Sequence, residues 1–405
     1  MMKLDSSCPA VRFGRRIDMQ RMIKNHLENA YPHMLETLRE LTSIDRESRY
    51  IPGLTQTADY IQNRLLKLGC AIERYEDDTY GPTLVGKKQG TGKAVILFYA
   101  HMDTVWPKGT AAARPFTVEG DRAYGAGVSD CSHGIVGALY MLESLRAIEF
   151  DSYKELILLF NSDEELYSPH SQQYIEQYAK CADVAFCMES SDNKGEYISS
   201  RAGVMFYDLE VRGVKSHAGG MPEKGRNAIE ELAHKITLIH ELKIPNAYIH
   251  TTLIGGGINE GMVPDYAWAH VDVRVDTMEA ENAVVNAMAH VEKDVYIPDT
   301  QTKCVRRPGG CLPMVRVPEQ DKLCAVVDAV SKDLGYPLHE SFCGGGANAV
   351  LSALVGTPTL DGVTPTSGAW HTDHEYLDLD SLVPRISILA ETVRRICLDD
   401  RFLKG

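Results

Sequence analysis

The stretch ELILLFNSDEELYSPHS, residues 155–171, joins a nearly continuous apolar run to three adjacent carboxylates, Asp163, Glu164 and Glu165. A short unbroken apolar run is typical of a strand that is buried on both faces of a sheet. Adjacent like charges disfavour one another's ionisation unless a cation or solvent takes up the charge. The stretch therefore predicts either a solvated loop or a bound cation at the point where a buried strand leaves the core.

Two further runs have the same apolar character, AVILFYA (residues 94–100) and DVAFCM (residues 183–188). Between them, SHGIVGALYMLESLRA (residues 132–147) has its apolar residues at helical spacing. Buried strands that alternate with helices predict an α/β domain with a largely parallel sheet.

From about Val204 the strands alternate apolar and polar residues, as in VMFYDLEVRG and YAWAHVDVRV, which is typical of a sheet with one covered face. The element order β-α-β-β-α-β predicts a ferredoxin-like unit. We predict strands over 204–212, 248–254, 266–275 and 302–306, and helices over 225–242 and 278–293, with Ile229, Leu232, Ile236 and Ile239 on one helix face. The α/β domain then comprises residues 1–202 and 310–405, and residues 203–309 form an inserted domain.

Composition limits the partners. The 405 residues contain 42 Lys and Arg against 56 Asp and Glu, and the net charge of -14 disfavours nucleic acid and anionic membranes as partners. The N-terminal MMKLDSSCPAVRFGRR lacks an apolar signal core, so we predict a cytoplasmic location. The ten cysteines are scattered, with no C-x-x-C pair, which is typical of reduced core thiols.

Polar side chains follow each buried strand. His101 and Asp103 stand in HMDTV, and Glu189 stands in CMES, while Asp130 lies in the glycine-flanked turn YGAGVSDCSHG. Each has an ordinary explanation by itself, such as a structural histidine or a helix N-cap. Because the carboxyl ends of parallel strands share one edge of the sheet, we expect these groups and Glu165 to converge there. One imidazole and three carboxylates suit zinc, so the predicted cation is a metal ion.

A set of motifs, in this order, resembles the zinc aminoacylase and carboxypeptidase metallopeptidase family that includes glutamate carboxypeptidase of the carboxypeptidase G type. The resemblance extends from about residue 35 to the end of the chain. It is carried by HMDTV, GAGVSD, DEELYSPHS, MES, VKSHAGGMPEKGRNAIEELA, VPDYAWAHVDVR, GGGANA and WHTDHEYLDLDS.

The resemblance implies two zinc ions per chain, with cobalt or manganese as alternatives. It implies that Asp130 bridges the two ions and that His101 and Glu189 complete one site. Glu165 and His371 would complete the other, although the motif WHTDHEY also offers His374 and Glu375. In the same carry-over Asp103 orients His101, and Glu164 is the general base.

The inserted domain corresponds in the family to a lid and dimerisation domain. The resemblance implies a homodimer through this domain, with His217 of KSHAGG reaching the partner's active site to stabilise an oxyanion. Candidate substrate-binding residues are Arg274, Arg307, Asn259 and Gly345. The two arginines suit a substrate carboxylate, although either is equally explained as a surface ion pair.

Four positions depart from the family pattern. Gly261 stands where the family commonly has Asn, and Asn348 where it often has Asp. Tyr167 replaces a usual glycine, and Ser132 replaces a usual lysine. These positions lie outside the predicted ligand set, so we expect a retained metal centre and an altered specificity.

The resemblance implies a dinuclear zinc hydrolase that releases a C-terminal amino acid from a small peptide, with glutamate-like substrates favoured. An N-acyl-amino-acid deacylase or desuccinylase is the alternative within the same family. A homologue that binds without catalysis is the alternative from another class, because fold alone does not establish function. Such a homologue would have lost ligands, whereas all five predicted ligands are present.

Overall fold

The computed structural model describes residues 9–404, with side chains from residue 18 onward. The start of the N-terminal stretch considered above, including Cys8, lies outside the described residues. The chain divides into two compact units. The first comprises the chain up to Ser199, Arg316–Ser341 and the part from Leu351 onward; the second comprises Ser200–Val315 and Phe342–Val350.

The helices and strands are numbered along the whole chain. The helices are α1 (Pro9–Thr42), α2 (Ile51–Lys67), α3 (Thr110–Ala113), α4 (His133–Ala147), α5 (Gln172–Cys181), α6 (Ala228–Glu241), α7 (Met278–Met288), α8 (Gln320–Asp333), α9 (Ala349–Leu354) and α10 (Leu382–Cys397). The strands are β1 (Ala71–Tyr75), β2 (Thr83–Gln89), β3 (Val95–His101), β4 (Thr117–Glu119), β5 (Arg122–Tyr124), β6 (Glu155–Asn161), β7 (Val184–Cys187), β8 (Glu196–Arg201), β9 (Gly203–Arg212), β10 (Ser216–His217), β11 (Ala247–Gly256), β12 (Met262–Val263), β13 (Tyr266–Val275), β14 (Gln301–Arg306), β15 (His339–Cys343), β16 (Thr359–Leu360), β17 (Ser367–Gly368) and β18 (Tyr376–Asp378).

The central sheet of the first unit has the order β1-β2-β6-β3-β7-β16. Strand β3 pairs in parallel with β6 and β7, and β16 pairs in parallel with β7, whereas β1 and β2 add an antiparallel edge. Every residue of β3 and β7 is buried, because helices cover both faces of a doubly wound sheet. The predicted α/β fold with a largely parallel sheet is therefore confirmed.

Helices α1, α4 and α10 pack together on this sheet, and α4 is buried along most of its length. Their apolar side chains join those of β3, β6 and β7 in one core. None of the helices between residues 9 and 404 is long and apolar enough to cross a membrane.

A small sheet of the first unit, in the order β17-β18-β5-β4, holds the loops next to the end of the central sheet. The loop between β17 and β18 contains His371 and Glu375, and Asp130 follows β5. Pairing of β18 with β5 brings Tyr376 opposite Tyr124, so two loops distant in sequence become neighbours.

The second unit contains a four-stranded antiparallel sheet in the order β11-β13-β9-β14, with α6 and α7 packed on one face. Helix α6 begins at Ala228 rather than at residue 225, because the Asn227 side chain caps it by accepting from the amides of Ile229 and Glu230. The predicted helix face is partly wrong: Leu232 and Ile239 are buried, whereas Ile229 is 41% exposed.

A buried ion pair explains why α7 ends at Met288 rather than at residue 293. The fully buried Lys235 ammonium lies 3.3 Å from Glu231 Oε1 and donates to the carbonyls of Val291 and Asp294. Glu231 in turn accepts from the amide of Ile297 at 2.6 Å. These contacts from α6 hold the chain after α7 in turns, which local sequence does not reveal.

We expect Lys235→Met to destabilise the second unit by about 3–5 kcal/mol, because Glu231 would then be buried without its counter-charge. Urea unfolding followed by circular dichroism, with hydrogen exchange of β9 and β13, measures the loss. Adding Glu231→Gln should restore part of it. Lys243→Met, at an exposed position, should change stability by less than about 0.5 kcal/mol. A Lys235→Met loss no larger than that of the control would contradict this role.

Candidate metal centre

The carboxyl ends of three neighbouring strands supply most of the centre. His101 is the last residue of β3, Glu164 and Glu165 follow β6, and Glu189 follows β7. Asp130 comes from the turn between β5 and α4, and the ligand atoms of His101, Asp130 and Glu165 lie within 4.8 Å of one another. These side chains therefore converge at one edge of the sheet, as expected.

Asp130 lies between two donor sets, because its two carboxylate oxygens face different histidines. Oδ1 is 2.8 Å from His101 Nε2, and Oδ2 is 3.1 Å from His371 Nε2. His101 Nε2 is also 3.4 Å from Glu189 Oε1, and His371 Nε2 is 3.3 Å from Glu165 Oε2. The donor atoms thus form two sets, each with one imidazole nitrogen and one carboxylate, and Asp130 belongs to both sets.

These residues fit a pair of metal ions. Ligand atoms about 2.0–2.1 Å from a tetrahedral zinc ion are roughly 3.3 Å apart, close to the separations seen here. The ring Nδ1 of His101 donates to the Asp103 carbonyl at 2.9 Å, which leaves the Nε2 lone pair for a metal. Oε1 of Glu165 is buried and has no hydrogen-bond partner among the described residues. A cation would satisfy this oxygen.

Protonation takes up the charge when no cation does. Burial raises the pKa of Glu164 well above its usual value, and the charges of Glu189 and Glu165 add to the rise. Burial, with the charge of Asp130, raises the pKa of Glu165 to about 7. Hydrogen bonds to Asp130 and Glu165 raise the pKa of His371 to about 10. The centre therefore favours any added positive charge, whether proton or metal ion.

Of the three adjacent carboxylates in residues 155–171, Asp163 organises the loop, whereas Glu164 and Glu165 lie at the centre. Asp163 is buried and accepts from Ser171 Oγ at 2.5 Å and from the His170 amide at 2.8 Å, so it organises the loop. The buried Asp103 carboxylate accepts from the amides of Glu164 and Glu165 at 3.1 and 3.2 Å. Asp103 therefore holds the loop of Glu164 as well as the ring of His101.

The three candidates in WHTDHEY differ in what their side chains contact. His371 faces the carboxylates, as described, and His374 is exposed. Glu375 is fully buried and lies against the Asp130 turn. It accepts hydrogen bonds from Ser129 N (2.9 Å), Ser129 Oγ (3.1 Å), Asp130 N (3.2 Å), Gly127 N (3.2 Å) and Trp106 Nε1 (2.8 Å).

A buried arginine braces the same turn from the other side. Arg46 is 1% exposed and donates to the carbonyls of Met102 and Gly127 and to Ser132 Oγ, the last at 2.7 Å. Ser132 Oγ in turn donates to the Gly127 carbonyl at 2.5 Å. Arg46 thus supplies a positive charge behind the turn. Because Arg46 is far from this turn in sequence, no local motif predicts the contact.

Cys131, which follows Asp130 in the chain, is a buried thiol, as the scattered cysteines predict, but it also lies beside the centre. Its sulfur lies within 4.8 Å of the ligand atoms of His101 and Glu189, and it donates to the Met188 carbonyl at 3.3 Å. Burial raises the pKa of this thiol well above its usual value. The neutral thiol therefore lines the wall of the centre.

In the second unit, His217 and Asn259 lie close together. His217 pairs with Met262 in the short ribbon of β10 and β12, and the Gly261 carbonyl accepts from Ala218 N at 3.0 Å. Asn259 Oδ1 accepts from the Gly261 amide at 2.8 Å, so its side chain shapes this turn. The His217 ring is exposed.

The two arginines predicted for substrate binding are in ion pairs within the second unit. Arg274 donates to Asp272 at 2.7 and 2.9 Å, and Arg307 lies 3.2 Å from Asp208. The Gly345 carbonyl accepts from Arg201 at 3.1 Å. Both arginines therefore have carboxylate partners from their own chain.

Comparison with known proteins adds to this geometry. The model of "Peptidase family M20/M25/M40" matches residues 97–395, well over half of the chain. Carboxypeptidase G2 of Pseudomonas sp. (strain RS-16) is 29% identical over 370 residues, which is 89% of this chain and 89% of that protein.

Two further similarities bear on activity and fold. Acetylornithine deacetylase of Proteus mirabilis (strain HI4320) is 22% identical over 401 residues, 91% of this chain and 98% of that protein. The structure of Bacillus subtilis YXEP, described as a dinuclear metal binding peptidase from the M20 family, superposes with a TM-score of 0.69 at 15% identity. It covers 92% of this chain and 99% of that one.

We expect Glu375→Ala to lower zinc affinity about 10- to 100-fold, because the Asp130 turn loses the acceptor that holds its amides. Competition titration against a chelator measures this affinity. Glu375→Gln keeps one acceptor oxygen and should lower zinc affinity less. Asp373→Asn, at a side chain 83% exposed in the same loop, is the matched control. Unchanged affinity in a folded Glu375→Ala variant would refute the positioning role.

Proposed function

The chain belongs to peptidase family M20/M25/M40, and from this premise we propose that it is a dinuclear zinc hydrolase that releases a C-terminal amino acid from a small peptide. Membership makes it a metal-dependent hydrolase. The observation that carries the dinuclear assignment is Asp130, whose two oxygens face His101 at 2.8 Å and His371 at 3.1 Å.

In this proposal one metal is held by His101, Asp130 and Glu189, and the other by His371, Asp130 and Glu165. When bound, a metal pair lowers the pKa of a water molecule and polarises the scissile carbonyl. Cobalt or manganese would suit the same nitrogen and oxygen donors, since affinity order alone does not select the metal.

Glu164 is the proposed general base. Its amide donates to Asp103, and burial, together with the charges of Glu189, Glu165 and Asp130, raises the pKa of its carboxyl. A carboxylate next to the ligands can take a proton from water and then donate it to the leaving amine. Asp103 positions this base and the His101 ring together.

His217 is the proposed oxyanion donor, acting in the active site of a partner subunit. Its Nδ1 accepts from the amides of Gly219 and Gly220 at 3.1 and 3.0 Å. The proton of the neutral ring is therefore on Nε2, which points a donor away from the turn. One such donor is worth about 3–4 kcal/mol of transition-state stabilisation.

The substrate is proposed to be a small peptide or an N-acyl amino acid, with a glutamate-like C-terminal residue favoured by the similarity to carboxypeptidase G2. An N-acyl-amino-acid deacylase or desuccinylase is the second candidate, and the similarity to acetylornithine deacetylase favours it. Asn259, Gly345, Arg274 and Arg307 remain proposed substrate contacts. For the arginines this requires exchange of the carboxylate partners described above.

We expect Glu164→Gln to retain zinc and to lose turnover by about 10²- to 10⁴-fold, since the base is removed and the ligands remain. Mass spectrometry of products from dipeptides, N-acyl amino acids and folate-type conjugates identifies both activity and substrate. Intact substrates throughout the panel with zinc-loaded wild-type protein would contradict the hydrolase proposal. Wild-type turnover by Glu164→Gln would contradict only the assignment of the base.

A homodimer is proposed through the second unit, the family's lid and dimerisation domain. Strand β11 is an edge strand, and Tyr248, Leu253, Ile254 and the nearby Ile258 are 56–86% exposed. An apolar edge strand of this kind is a template for pairing with another chain. No nucleic-acid or membrane partner is proposed, and the cytoplasmic location stays a prediction.

Mixing Glu164→Ala with His217→Ala tests the dimer and the partner role together. If His217 acts across subunits, each mixed dimer regains one complete site, and random exchange restores about a quarter of wild-type activity. Assay of activity after subunit exchange measures this, with zinc content as the check on each variant. Leu253→Asp with Ile254→Asp should abolish the dimer in light scattering, whereas Val118→Asp, at an exposed site in the first unit, should not. No regained activity from a mixed dimer would contradict action across subunits.

A further inference from the structure

The segment between α1 and α2 runs along the edge of the metal centre. Thr104 N donates to the Arg46 carbonyl at 2.8 Å, and Ser48 N donates to the Thr104 carbonyl at 3.2 Å. Ser48 Oγ also donates to Asp103 Oδ2 at 2.7 Å. Arg49, the next residue in this segment, is therefore one residue away from a direct contact with Asp103, which holds the loop of Glu164.

The backbone of Arg49 has a conformation that arginine seldom adopts. Its φ is 71°, in the left-handed region that favours glycine. Its guanidinium carbon lies 5.5 Å from the centre of the Tyr80 ring, and that ring stacks on His170 at 6.4 Å. His170 N donates to Asp163, the residue before Glu164. Through Tyr80 and His170, the Arg49 side chain is therefore connected to the loop that carries Asp163 and Glu164.

Among the described residues, no ion pair neutralises the positive charge of Arg49. No carboxylate lies within ion-pair distance of its guanidinium, or of the Lys108 ammonium, in the part of the chain that the structure describes. Lys108 lies over the Tyr50 ring at 4.8 Å and donates its amide to Glu47. Both side chains are exposed, and both belong to segments that are hydrogen-bonded to the residues that follow β3.

We propose that Arg49, assisted by Lys108, binds a carboxylate of the substrate at the rim of the metal centre and gives the enzyme a preference for acidic substrates. This deepens the proposed function and rests on it. A planar guanidinium forms two parallel hydrogen bonds to a carboxylate, and the Tyr80 ring holds its plane. The rim cations also offset the repulsion that Glu164, Glu165 and Glu189 exert on an anionic substrate.

Backbone strain supports a binding role rather than a structural one. A non-glycine residue at a left-handed φ lowers stability, and such residues persist where function requires the side chain. Glycine at this position would relieve the strain and lose the cation. Arg49→Gly should thus raise the melting temperature by roughly 1–3 °C while weakening substrate binding.

The test measures binding separately from turnover. Isothermal titration calorimetry of zinc-loaded Glu164→Gln, with and without Arg49→Gly, uses N-acetylglutamate, N-acetylglutamine and the α-carboxamide of N-acetylglutamate. N-succinylalanine and N-butyrylalanine form a second pair for a carboxylate on the acyl side. In parallel, kcat and KM are measured in the wild-type background with whichever of these compounds is cleaved.

We expect one carboxylate to strengthen binding about 10- to 100-fold over its uncharged analogue, and Arg49→Gly to abolish that preference. The ligand pair that loses its difference identifies which carboxylate is bound. The KM for the acidic substrate should rise while kcat changes little, because the contact is made before the transition state. Arg49→Lys should retain part of the preference, and Lys108→Gln should weaken it by about 2- to 5-fold.

Glu149→Gly is the matched control, since Glu149 also has a left-handed φ of 53° but follows α4, away from the strand ends that carry the ligands. It should change stability without changing the carboxylate preference. A preference that survives Arg49→Gly, or no preference in the parent protein, would overturn the proposal. Carboxylate-selective binding without hydrolysis of any compound would instead refute the proposed function and leave the role of Arg49 standing.

Discussion

Three carboxylates and two imidazoles face one small space at the end of the central sheet, and the repulsion among the carboxylates is the constraint on which the rest of the site depends. Asp130, Glu165 and Glu189 cannot all be ionised there without a compensating positive charge. Arg46 lies behind the Asp130 turn, where it donates to the carbonyls of Met102 and Gly127 and to Ser132. The arrangement is stable when metal ions, or protons in their absence, supply the charge.

A layer of buried polar groups holds these ligands against their mutual repulsion. Asp103 accepts from the amides of Glu164 and Glu165, and Glu375 accepts from the amides of the Asp130 turn. Each carboxylate thus replaces the water that would otherwise solvate the loop amides. Because backbone amides cannot move independently of the loop, each of these hydrogen bonds fixes a ligand-bearing segment rather than one side chain.

The main features of the fold, and the convergence of the proposed ligands, were predictable because local sequence patterns indicate them. Unbroken apolar runs marked β3, β6 and β7, and a polar residue after each run indicated the shared edge. Glu375 was visible only as a third option beside His371 and His374, because its partners are amides about 245 residues away. The early end of α7 depends on Lys235 from another helix, and the start of α6 depends on the Asn227 cap. Sequence periodicity records neither kind of contact.

The backbone of the loops around the centre has unusual φ angles that the amino-acid composition does not predict. Among the described residues, several non-glycine residues with positive φ lie in the loops around the centre, namely Arg49, Tyr167, Ser168, Ala369 and His371. Glycine would occupy each position at lower cost, so side chains at these points are retained against folding stability. For His371 the reason is its imidazole, which must face Asp130 and Glu165 from a tight turn. The same reasoning extends to Arg49 and to Tyr167, which stands in the loop of Glu164 where the family has glycine. Residues at such positions around the metal centre are where we expect substrate specificity to be determined, because the ligands fix the chemistry whereas the surrounding loops can vary.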